Sequence, residues 1–173
     1  PKWIDFFFEN FQKYNHAGIF FGHTATDINT FNSYAPPTEI TQSILNPLKI
    51  LFYNPICHSG AIFKRSSIVQ INGYSTSIKS QFDWDLWLRL AFVKENFVAI
   101  NYLTTFKRLH SNQSFESKQH FIYTIRGAVL QLKATMNMKP IYFLPVLIFV
   151  IIRIIWSFFP RKLRTSRLFD MLR

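Results

Sequence analysis

Apolar positions along the chain switch between a helical period and short continuous runs, and that switching places the elements. Residues 3, 4, 7, 8 and 11 are apolar at helical spacing, so the opening stretch reads as a helix ending near Tyr14, with Pro1 suited to a first turn. Ala17 to His23 is a short apolar run bounded by turn residues and reads as a buried strand. Thr24 to Gln42 is polar, aperiodic and contains Pro36-Pro37, which reads as a lid or binding loop. Asn46-Pro47 opens a further segment, and Ser59 to Lys64 reads as a strand followed by a short helix that Gly73 ends at its C′ position.

Asp83 to Lys94 carries apolar and aromatic residues on a helical period, with Asp83 and Asp85 in the first turn, where carboxylates suit the helix dipole. Two short strands are expected next, Phe97 to Ile100 and Leu103 to Leu109. Glu116 to Met136 is expected to form a long amphipathic helix leading away from the domain. Ile141 to Phe159 is apolar but for Arg153, and just reaches the ~20 residues that span a bilayer. Lys133 and Lys139 precede it and Arg161, Lys162 and Arg164 follow, so flanking charge favours neither orientation. A helix lying in the interface with Arg153 snorkelling satisfies both ends, and a true span is the alternative. Helix and strand alternate, so the fold class expected is α/β.

Length and composition narrow this picture. The 173 residues allow one domain with an appendage, and the 49% hydrophobic and 18% aromatic content, with 20 Phe, excludes a disordered chain. A net charge of +11 draws the molecule to anionic partners. Because the charge crowds the last residues after an apolar helix, a membrane surface is expected and nucleic acid is not. The lone Cys57 allows no intramolecular disulfide and reads as a small buried hydrophobe or a reactive thiol in a reducing compartment. The start at Pro1-Lys2-Trp3, with no leader, reads as that of a fragment.

Candidate chemistry lies in Gln81-Phe82-Asp83-Trp84-Asp85-Leu86-Trp87-Leu88-Arg89. Positions i and i+2 do not share a helix face, so Asp83 and Asp85 serve different partners, and Asp85 stands four before Arg89 as an ion pair would. Alone, an Asp at a helix start is an ordinary structural residue. Trp84 and Trp87 could each stack on a sugar, with Trp87 the better core residue and Trp84 the better sugar platform.

The context changes the reading. Asn54-Pro55-Ile56-Cys57-His58-Ser59-Gly60-Ala61-Ile62-Phe63-Lys64-Arg65 precedes Asn72-Gly73-Tyr74, then the acidic segment, then Lys107-Arg108-Leu109-His110-Ser111-Asn112-Gln113-Ser114. This ordered set, over roughly residues 1 to 115, resembles the acceptor-side half of family 2 glycosyltransferases of the GT-A fold. Four elements in order make the likeness specific, although Phe82 stands where the family usually has Glu.

The resemblance implies a partial, Rossmann-like GT-A domain over 1–115 that lacks its N-terminal nucleotide-binding half. An amphipathic connecting helix over 116–139 and a strongly hydrophobic membrane-associating helix with a basic tail over 140–173 follow. It implies an inverting transfer from a nucleotide-diphosphate sugar to a hydroxyl of a cell-envelope or lipid-linked glycan, at the cytoplasmic face of the membrane, with homo-oligomers left open. Asp83 matches the general base. His58, Ser59, Gly60, Arg65, Arg108 and Ser114 match substrate-contacting positions, and Arg108 and His110 match a diphosphate and metal-side element. The divalent metal, Mn2+ or Mg2+, is expected to find its main ligands in an Asp-x-Asp motif upstream of Pro1. The competing expectation is an inactive, truncated domain serving as a membrane-tethered interaction module.

Overall fold

The computed structural model describes residues 4, 5, 7, 8, 17–78, 80–107 and 120–159. Four strands, β1 (Ala17–Ala25), β2 (Gln42–Ile44), β3 (Ala61–Phe63) and β4 (Asn96–Phe106), form one mixed sheet in the order β2-β4-β1-β3. Among the described residues, five α-helices with complete bounds accompany it: α1 (Ile28–Asn32), α2 (Arg65–Gln70), α3 (Phe82–Phe92), α4 (His120–Met138) and α5 (Phe143–Ser157). The class is α/β.

The centre of the sheet is the parallel pair β1 and β4, with β3 antiparallel to β1 and β2 antiparallel to β4. Ile19, Phe20 and Phe21 are buried in succession because both faces are covered, as a central strand requires. Ile19 and Phe21 meet Leu86, Trp87 and Leu90 of α3, whereas Phe20 meets Phe7, Val98 and Ile100 on the opposite face. Positions 4, 5, 7 and 8 are helical, in keeping with the opening helix.

The structure corrects several expectations. The two strands expected over 97–109 are one strand through Phe106, with register shifts in its pairing to β1. It survives the polar Asn101 because that side chain extends the ladder: Oδ1 accepts from Thr41 N at 2.8 Å and Nδ2 donates to Glu39 O at 3.2 Å. The polar 24–42 stretch holds α1, whose N-cap Asp27 accepts from Thr30 N at 2.8 Å.

Gly73 is not the C′ residue of α2. Asn72 takes that left-handed position at φ 59°, and Gly73 follows at φ 69° with its N–H on Ile68 O, a Schellman closure. Lys94 closes α3 in the same way, with Lys94 N on Ala91 O and Glu95 N on Leu90 O.

Helix α4 does not lead away from the domain. Its Gly127 passes so close to α3 that a Cβ would stand 2.9 Å from Gln81 Oε1 and 3.1 Å from the Trp84 ring. Gln131, fully buried, donates to Leu51 O at 2.8 Å and Phe52 O at 2.7 Å, closing the end of the 3-10 turn Pro47–Leu51. Helix α5 then packs along α4 and sends Val146 and Val150 into the same core.

Candidate functional site

The loop preceding α3 delivers a carboxylate to the helix start. Gln81 adopts φ 59° and ψ 33°, turning the chain sharply, and its amide donates to Tyr123 O at 2.6 Å, which ties the turn to α4. Asp83 follows in the first turn of α3 and is half-buried. Its Oδ2 accepts from Asn54 Nδ2 at 3.1 Å, and Asn54 is itself held by accepting from Ile56 N at 3.2 Å. Among the described residues, no hydrogen bond engages Asp83 Oδ1. Asp85 points elsewhere, pairing with Arg89 Nε at 2.8 Å, while Arg89 Nη1 donates to Ile71 O at 2.8 Å. The two carboxylates thus serve separate partners, as the i, i+2 spacing requires.

Beside Asp83 stands a hydrogen-bonded pair, His58 Nε2 with Tyr74 Oη. The imidazole sits among the rings of Tyr74, Trp87, Phe63 and Phe82, with centroids 5.8, 6.0, 6.1 and 6.4 Å away. Burial first, and the Asp83 charge second, hold the Tyr74 phenol above its usual range, so it remains protonated at neutral pH. A carboxylate, an amide, a phenol and an imidazole therefore converge at one edge of the sheet, formed by the 3-10 turn His58–Gly60, the 71–78 loop and the start of α3. Such a set can accept a proton from a hydroxyl at the carboxylate and orient a polyhydroxylated molecule through its amide and phenol.

The expected residues divide on placement. Asp83 and His58 come together through Tyr74, and Ser59 lies exposed next to His58. Gly60 is buried with its Cα against β4, where a Cβ would collide with the hydroxyls of Thr104 and Thr105; strand packing explains this glycine. Arg65 is exposed as the first residue of α2. Trp84 is a correction: it is 4% exposed, its Nε1 donates to Ile50 O at 2.8 Å, and the Arg153 guanidinium covers its ring at 5.5 Å, so it is not a sugar platform. Trp87 is core.

Arg108, His110 and Ser114 lie outside the described residues. Asn54 and Tyr74 are the site residues that sequence reasoning passed over. Their signal was their place in the same ordered set as Asp83 and His58. Cys57 is half-buried and free.

Among the described residues no three His, Cys, Asp or Glu side chains converge. Comparison of the chain with models of known protein families, with curated proteins and with solved structures returns no match.

Proposed function

We propose that this chain is the acceptor side of an inverting family 2 glycosyltransferase, with Asp83 as general base. The observation that carries the reading is the Asp83 carboxylate at the start of α3, anchored through one oxygen by Asn54 and bordered by the His58–Tyr74 pair. In the proposed step, an acceptor hydroxyl gives its proton to Asp83 while its oxygen attacks the anomeric carbon of a nucleotide-diphosphate sugar. The bond from that carbon to the diphosphate breaks, the electron pair leaves with the nucleoside diphosphate, and the configuration inverts. Asn54 fixes the carboxylate through Nδ2, so the other oxygen faces the proton without a rotamer search. Tyr74 and His58 orient acceptor hydroxyls as donor and acceptor. The divalent cation and its Asp-x-Asp ligands belong, in this proposal, to a nucleotide-binding half outside these residues.

The test replaces Asp83 with Asn in an active transferase containing these residues. Transfer is expected to fall by about 10²- to 10⁴-fold, the usual contribution of a positioned base, with nucleotide-sugar binding by calorimetry unchanged. Retained turnover removes Asp83 from the role. Absence of nucleotide-sugar binding by this chain and by a version of it extended upstream, with and without manganese, favours the membrane-tethered interaction module instead.

A further inference from the structure

Helix α5 has two faces of different character. Val146 and Val150 are buried, the Phe149 ring meets Phe52 edge-on at 5.6 Å, and Arg153 Nη1 donates to Gln131 Oε1 at 2.8 Å. The outward face is Leu144, Ile148, Ile151, Ile152 and Ile155, at i, i+4, i+7, i+8 and i+11, each between 46% and 63% exposed. The Phe121 ring of α4 meets Phe158 at 5.3 Å and extends this face at the end of the helix hairpin.

Among the described residues, the segment Pro140–Ser157 is the one helix long and apolar enough to cross a membrane. At ~1.5 Å per residue its 18 residues reach roughly 27 Å, marginal for a ~30 Å hydrocarbon core. Spanning would also strip Val146 and Val150 from the core and Arg153 from Gln131 and Trp84. The expected snorkelling of Arg153 is thereby corrected: its head turns into the protein, not toward headgroups.

We infer that the outward face of α5 lies flat in the surface of an anionic phospholipid bilayer, while its inward face stays docked on α4 and the core. The occupant follows from composition and charge. From Leu144 to Ile155 the face is aliphatic, without the Tyr, Trp, Arg or Met that mark protein interfaces. Lys139 is exposed just before it, and the sequence after it carries Arg161, Lys162, Arg164 and Arg167, which suit anionic headgroups. This placement stands independently of the catalytic reading.

Flotation of the full 173-residue chain with phosphatidylcholine vesicles, with and without phosphatidylglycerol, tests it. Binding is expected to be tighter with phosphatidylglycerol and to weaken by at least about tenfold in the double variant Ile148→Asp, Ile152→Asp, since partitioning scales with buried apolar area. Both positions are about half exposed, and circular dichroism checks that the variant stays folded. Labels on single cysteines at positions 144, 148, 151 and 155, in a Cys57→Ser background, are expected to be quenched by lipid-borne quenchers at one common depth. A depth that peaks at the middle positions would mean a span and overturn the inference. Unchanged vesicle binding by the double variant, or self-association through this face in place of vesicle binding, overturns it equally.

Discussion

Tyr74 is the residue through which the two halves of the candidate site feel each other, since its hydroxyl bonds His58 and its phenol senses the charge of Asp83. Its raised pKa has a definite sign in stability. Below the ordinary value of 10.0 the phenol is protonated in both folded and unfolded chains and the shift contributes no pH dependence; above it, the unfolded chain ionises first and stability falls with rising pH. Ultraviolet titration, taken as the difference between the wild type and Tyr74→Phe, is expected to place this phenol above 10.0. Asp83→Asn is expected to bring it part of the way back and no further, because burial is the larger cause and survives the substitution. A titration unmoved by Asp83→Asn would separate the two residues and dismantle the site. His58 and Tyr74 stand in the sequence as members of one ordered set, yet their pairing was not legible there, because it depends on where a 3-10 turn and a loop meet in space.

At the scale of elements, legibility followed how local the determining pattern is. β1 and α3 stand where their apolar runs placed them, because an uninterrupted apolar strand and a helical stripe opened by two carboxylates are each decided within a dozen residues. β4 is one strand where two were expected, and the Asn101 amide supplies further ladder partners to residues 60 and more positions away. Helix α4 was expected to depart from the domain as an amphipathic helix, but Gln131 and Thr135 turn a polar stripe inward. Both are buried: Thr135 Oγ1 donates to Gln131 O at 2.7 Å, and the Gln131 amide closes the 3-10 turn through two carbonyls while accepting from Arg153. Gln131→Leu should therefore cost about 2–4 kcal/mol in a denaturant titration, since it strands two carbonyls and the Arg153 head in the interior. A loss below about 0.5 kcal/mol, the usual range of surface substitutions, would mean that α4 is not held by this amide.

On the scale of the whole molecule, helix α5, proposed to face lipid, and the candidate base are parts of one packed unit. Arg153 of α5 lies over Trp84, and Trp84 is the next residue after Asp83 on α3. Gln131 of α4 holds Arg153 from the other side, so the outward face of α5 and the Asp83 carboxylate keep a fixed relation without a flexible linker between them. The consequence for the proposed transfer is a split between acceptors. If the bilayer presents the acceptor, loss of docking lowers its local concentration at Asp83, while an acceptor free in solution reaches the site equally well with or without the membrane. Ile148→Asp lies on the outward face, at a position about half exposed. In an active transferase containing these residues, it is expected to lower kcat/KM for a vesicle-embedded, lipid-linked acceptor by about tenfold or more, and to leave kcat/KM for a short water-soluble acceptor within about twofold. Equal losses on both acceptors would show that the substitution disturbs the site through Arg153 and Trp84. Equal retention on both would show that membrane docking and acceptor delivery are separate properties of the chain.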